Sequence, residues 1–216
     1  MQTFLGFATC TVAVVVLALA TAANADVVLA QTDFGTTPGT DVSPFLTSYA
    51  PFSGGAVPGH YDVDTTANHS FDWGGVDHTT GTGCFMVVDG ALDSGLAILS
   101  HTADTVAGYQ YTLDGWVQNV LSGGGSPPTL SFRVNGAEMG SLTLLPGARI
   151  WTGFSFTYMA ATTGPTTFTL HDNIIVTSGN DFGLDDIVMS SNIPEPATLA
   201  LLALGGLALL KRKPKS

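Results

Sequence analysis

Apolar and polar side chains alternate with a period of two through most of the middle of the chain. Tyr109-Gln110-Tyr111-Thr112-Leu113, Leu130-Ser131-Phe132-Arg133-Val134 and Phe154-Ser155-Phe156-Thr157-Tyr158 each place one set of side chains on one face of an extended strand. Phe168-Thr169-Leu170 continues the pattern, and Ile174-Ile175-Val176 and Ile187-Val188-Met189 read as short apolar strands. Asn135-Gly136 tolerates positive φ at both positions, so it predicts a hairpin from Leu130–Val134 into a strand near Gly140–Leu145. Gly123-Gly124-Gly125-Ser126-Pro127-Pro128 and Thr162-Thr163-Gly164-Pro165 break strands. No stretch between the termini keeps a 3.6-residue period. Short strands about ten residues apart predict an all-β fold, a two-sheet antiparallel β-sandwich. Residues 35–83, rich in Pro, Gly, Thr and Asp, predict long loops with one or two strands.

The two ends depart from this pattern. Phe4 to Ala20 is apolar apart from Thr9 and Thr11, and Ala23-Asn24-Ala25 supplies the small-x-small step that precedes signal cleavage. Residues 1–25 therefore read as a signal peptide with a helical apolar core, cut between Ala25 and Asp26. Met1-Gln2-Thr3 carries no Lys or Arg, which leaves an uncleaved anchor as the alternative. At the other end Pro194-Glu195-Pro196 precedes an apolar helix-forming run, Ala197 to Leu210, and the basic cluster Lys211-Arg212-Lys213. The cluster marks a cytoplasmic end. Fourteen helical residues reach about 21 Å, short of a hydrocarbon core of about 30 Å. A segment destined for processing suits that length better than a permanent anchor does.

This tail resembles the PEP-CTERM sorting signal of Gram-negative bacteria that make extracellular polysaccharide. The resemblance implies that exosortase, a membrane protease-transpeptidase, recognises Pro194, Glu195 and Pro196 and removes the tail. The division expected is thus a signal peptide (1–25), a β-sandwich domain (26–190) and a sorting signal (191–216). The chain would pass through the inner membrane, be held there briefly by its C-terminal helix, and end at the cell surface or in the matrix.

Charge narrows the partners. Residues 26–192 hold 15 Asp and Glu138 against Arg133 and Arg149, with no lysine, so the exported part carries about −14. Such a surface repels phosphate backbones and excludes nucleic acid. Cys84 is the one cysteine left after signal removal and lies in the apolar run Cys84-Phe85-Met86-Val87-Val88, where a buried, inert thiol is expected.

The terminal segments Val27–Phe34 and Asn180–Ile187, with Tyr109–Val117 between them, resemble strands of carbohydrate-binding-module-like (galactose-binding-like) jelly rolls. In that family a structural Ca²⁺ commonly joins the first and last strands, which nominates Asp33, Asp185 and Asp186. Strand alternation sends Asp185 and Asp186 to opposite faces, so one of them would act as a ligand. A second constellation comprises Asp62, Asp64, His69, Asp72, Trp73, Asp77 and His78, within 17 residues. As a glycan site, Trp73 would stack on a sugar while Asp72, Asp77 and His78 bind hydroxyls; a metal is a further reading. The plain alternative is a polar loop plugged by Trp73. Trp116 and Trp151 fall on strands, where core packing is expected. His101 and His171 read as satisfied structural histidines.

No nucleophile elbow, zinc-protease helix or phosphate-cradling loop is present. The expectation is a non-enzymatic protein associated with the surface, the extracellular matrix, biofilm or exopolysaccharide. The alternative is a module that binds an extracellular glycan.

Overall fold

The computed structural model describes residues 24–194 apart from 124, 148 and 177; within them eleven strands and no helix form. The signal helix, the cleavable tail and the basic cluster lie outside the described residues. One sheet runs β2 (Ala50–Pro51), β3 (His60–Asp64), β4 (Phe85–Val88), β11 (Phe182–Pro194), β6 (Gln110–Asn119), β9 (Thr152–Met159), with β1 (Asn24–Thr32) also paired to β11. The second runs β5 (Ala97–Thr105), β10 (Gly164–Asp172), β7 (Thr129–Val134), β8 (Ala137–Thr143). All pairings with an assigned direction are antiparallel except the two-residue match of β2 with β3. The expected two-sheet sandwich is present. Residues Asn24–Ile193 form one compact unit, against the 26–190 read from sequence.

The core explains the alternation. Tyr111, Leu113 and Val117 of β6, Phe154 and Phe156 of β9, and Leu130, Phe132 and Val134 of β7 all point between the sheets. Phe132 lies parallel to Phe156 (centroids 5.8 Å) and to Phe168 (6.1 Å), so one aromatic stack bridges both layers. Each such ring contributes about 1.5–3 kcal/mol by leaving water. Asn135 (φ 49°) and Gly136 (φ 84°) turn the β7–β8 hairpin as expected. Ile174-Ile175-Val176 forms no strand: the Asp172 carboxylate accepts the Ile174 N–H (3.0 Å), and Ile175 is exposed.

β4 departs from simple alternation because both its faces are covered. Met86 and Val88 face the main core, while Phe85 and Val87 face a second one with Ala67, Trp73, Val120 and Leu121. The loop after β3 therefore folds over the outer face of the larger sheet. Gly183 permits this: a Cβ there would come within 2.7 Å of the Phe85 ring.

Candidate functional site

The loop's margin meets the outer face of the larger sheet at the only part of that face where a tryptophan of β6 emerges. On β6 the inward set is Tyr111, Leu113, Gly115 and Val117, so Trp116 faces out and stays 37% exposed. Trp116 therefore lies outside the core expected for it, as the phase of the strand itself dictates. His78 stacks on it at 4.0 Å, and Trp151 meets His78 edge-on at 5.7 Å while donating its indole N–H to the Val76 carbonyl (3.1 Å).

A bulge in β11 positions the carboxylates around His78. The β11–β6 register slips between Asp185 and Val188, and Asp186 takes φ 50°. The extra residue cancels the alternation expected for Asp185 and Asp186. Both carboxylates instead meet one residue. The His78 backbone N–H donates to Asp185 Oδ2 (2.9 Å), and its Nδ1 donates to Asp186 Oδ2 (2.7 Å). Thr79 Oγ1 donates to Asp186 at 2.7 Å.

Asp77 completes the group. Its Oδ2 accepts from Thr80 N (2.6 Å), Thr80 Oγ1 (2.7 Å) and Gly81 N (2.9 Å), closing the turn after His78. Its side chain also hydrogen-bonds Asp185. Burial opposes the charge on Asp77, yet the donors from Thr80 and Asp185 and the neighbouring backbone outweigh it and hold the carboxyl down to about 2. Asp185 is fully buried; desolvation, then the bond to Asp77, pushes it up to about 8. At neutral pH Asp185 is the protonated partner and donates to the Asp77 carboxylate. A second buried acid group lies where β4, β10 and β11 meet. There desolvation, then the charge of Asp181, pushes Asp89 up to about 8, and burial raises Asp172 to about 6.

The residues nominated from sequence are thus redistributed. Asp77 and His78 join Asp185 and Asp186 in one cluster that the sequence reading treated as two. Trp73 is 7% exposed and sits in the second core, so its ring is covered and cannot act as a sugar platform; it plugs the loop. The Asp72 carbonyl accepts from Arg149 Nη2, and its carboxylate accepts from Ser70 (3.2 Å). His171 is satisfied by Ser94 O and Thr169 Oγ1, and His101 packs edge-on against Phe45. Cys84 is fully buried, which raises its thiol above the ordinary range.

Asp33 and Asp186 line one groove of about 240 Å³ with Gln31 and Thr32. The proposed Ca²⁺ trio does not fit as it stands. Asp33, Asp185 and Asp186 do not bring an oxygen each within 4.8 Å of one another. Both oxygens of Asp185 and both of Asp186 already accept protein hydrogen bonds.

With this geometry in hand, the comparisons divide the chain in two. Residues 192–213 match the PEP-CTERM protein-sorting motif. The chain carries that signal, which marks it as exported, anchored transiently through its C-terminal region and processed by exosortase. No protein of curated function matches it in sequence. Among solved structures, the sandwich is similar to a Stig cyclase, Fisc, from Fischerella sp. TAU (TM-score 0.54, 13% identity, covering 79% of this chain and 99% of that one). It is also similar to the CBM22-1 xylan-binding domain of Paenibacillus barcinonensis Xyn10C (TM-score 0.44, 18% identity, 78% and 96%). A third similarity is to the C-terminal domain of EclA, a sugar-binding protein (TM-score 0.38, 24% identity); the match covers 43% of this chain and 66% of that one. The cyclase likeness bears on the fold, and at that identity on the fold alone.

Proposed function

We propose that this chain is an exported, non-enzymatic protein that resides at the cell surface or in the extracellular matrix, among biofilm exopolysaccharide. The observation that carries the reading is the engagement of its carboxylates. Asp77, Asp185 and Asp186, the carboxylates around the His78 that stacks on Trp116, hold the loop 77–83 to the bulge of β11 and leave no free acid–base pair over Trp116. A glycosidase needs two carboxyl groups facing one bond. Here one is fully buried and hydrogen-bonded to another. The outer face of the smaller sheet adds a polar surface, with Thr102 bonded to Thr167 (3.1 Å) and Thr129 to Thr143 (3.0 Å), suited to a hydrated matrix.

A second reading, glycan binding, is favoured by the 37% exposure of Trp116 beside His78 and Trp151. An array of bacterial exopolysaccharides, read for both retention and release of reducing ends, tests both. Retention without new reducing ends supports the proposal. Loss of retention in Trp116→Ala assigns it to that face, retention indifferent to Trp116 favours the polar sheet, and release of reducing ends overturns the non-enzymatic reading.

A further inference from the structure

On the outer face of β3, Asp62 and Asp64 stand two residues apart, opposite the core residues Tyr61 and Val63. His69, from the loop that folds back over this sheet, reaches the same point. A ring nitrogen of His69 and an oxygen from each carboxylate lie within 4.8 Å of one another, and this is the group of three such side chains that does so among the described residues. The His69 ring is held flat on Phe52 at 4.3 Å and edge-on to Trp73 at 6.3 Å, so its direction is fixed by the second core.

The hydrogen bonding around this point is incomplete. His69 Nε2 is buried and has no partner. It points at Asp62 Oδ2 from 3.8 Å, beyond hydrogen-bond range. Asp62 Oδ1 accepts the Val63 N–H (2.9 Å), and Asp64 Oδ1 accepts from Thr65 (2.6 Å). Those bonds orient both carboxylates and leave the second oxygen of each without a protein donor among the described residues. No arginine or lysine balances the pair: Arg133 bonds Ser94 and Asn173, Arg149 bonds Val120 and Asp72, and residues 26–210 contain no lysine. A buried imidazole nitrogen without a hydrogen-bond partner, facing two carboxylates, is an arrangement that one divalent cation satisfies by taking a donor from all three.

We infer that Asp62, Asp64 and His69 bind a first-row divalent metal ion of the Zn²⁺ class, clamping the loop after β3 onto the edge of the larger sheet. Ligands about 2.0–2.2 Å from a tetrahedral zinc stand about 3.4 Å apart, so the 3.8 Å between His69 and Asp62 needs to close by a few tenths of an ångström, and the Asp64 oxygen, within 4.8 Å of both, needs to swing in with it. Ca²⁺ is the wrong ion: it takes six to eight oxygens, and one of the three donors here is an imidazole. Three protein ligands also leave a coordination position for water or an outside oxygen donor. This inference stands on its own residues and does not depend on the proposed function.

The test is equilibrium dialysis and thermal melting of the full chain, carrying no histidine tag, against Zn²⁺, with Ca²⁺ as comparison. One Zn²⁺ per chain is expected, unaffected by tenfold more Ca²⁺, with a higher melting temperature when loaded. His69→Gln and Asp64→Asn should each weaken binding at least tenfold and abolish the thermal shift, while His101→Gln leaves both intact. Circular dichroism without metal checks that each variant folds; should His69→Gln fail to fold, Asp64→Asn alone decides. Equal Zn²⁺ binding in wild type and in the folded variants would overturn the inference. So would no binding at 100-fold excess Zn²⁺, or displacement by Ca²⁺.

Discussion

Replacing Asp185 with Asn tests the claim that a proton shared between two carboxyls locks the loop 77–83 to β11. An amide has the shape of the protonated acid: its Nδ2 can donate to Asp77 while its oxygen accepts from His78 N. The Asp185 carboxyl, ordinarily titrating near 3.8, is pushed up to about 8 by burial and then by its bond to Asp77. A raised acid contributes stability that is fully present below its unfolded value and is lost as pH rises through its folded value. Four decades of proton affinity have a ceiling of about 5–6 kcal/mol. Sharing the proton with Asp77, which is held down to about 2, and residual solvent screening bring a realistic figure to about 2–3 kcal/mol. For a chain of this size that is about 4–12 °C in melting temperature. Wild type and Asp185→Asn should melt together near pH 4, and the variant should gain progressively on wild type up to pH 8. Asp89 and Asp172 lose stability over the same range but are common to both proteins, so they cancel in the difference. Melts of both proteins at pH 4, 6 and 8 by circular dichroism measure it. A variant less stable than wild type at pH 8, or a gap that does not change with pH, would refute the shared proton.

Further outcomes follow from the same packing. Trp73→Ala removes the centre of the second core and should cost about 3–5 kcal/mol, read by urea unfolding, with protease sensitivity rising first in the loop after β3. Gly183→Ala should destabilise by about 1–3 kcal/mol, because the new methyl meets the Phe85 ring; a neutral effect would mean that Phe85 moves freely. Changing Pro194-Glu195-Pro196 to alanines should leave an unprocessed precursor in the membrane fraction on immunoblots, and unchanged processing would count against exosortase recognition.

Much of the sandwich was legible because strand phase and turn chemistry are local. Asn135-Gly136 fixed one hairpin, and the alternation of β6, β7, β9 and β10 assigned their inward faces. The same reasoning, carried one residue further, places Trp116 outward, since Tyr111, Leu113 and Val117 occupy the inward phase. β5 was harder to see: Ser100, His101 and Thr102 interrupt its apolar start, and its pairing with β10 is a long-range contact. The bulge at Asp186 could not be read at all, because it is set by how β11 meets β6 and not by a local turn signal. That one residue reversed the expected divergence of Asp185 and Asp186. Trp73 was ambiguous for a related reason: only the fold shows that Phe85 and Val87, on the far side of β4, need a cover.

The claim beneath the whole account is that the acidic sandwich works outside the cell. Its most direct test is to fractionate an exopolysaccharide-producing host that expresses the chain and weigh the product by intact mass spectrometry, with and without exosortase. The account predicts a product in the matrix or surface fraction that begins at Asp26 and lacks the apolar tail, and a tail-bearing form held in the inner membrane when exosortase is absent. A full-length chain in the cytosol, with both ends intact in either strain, would contradict it.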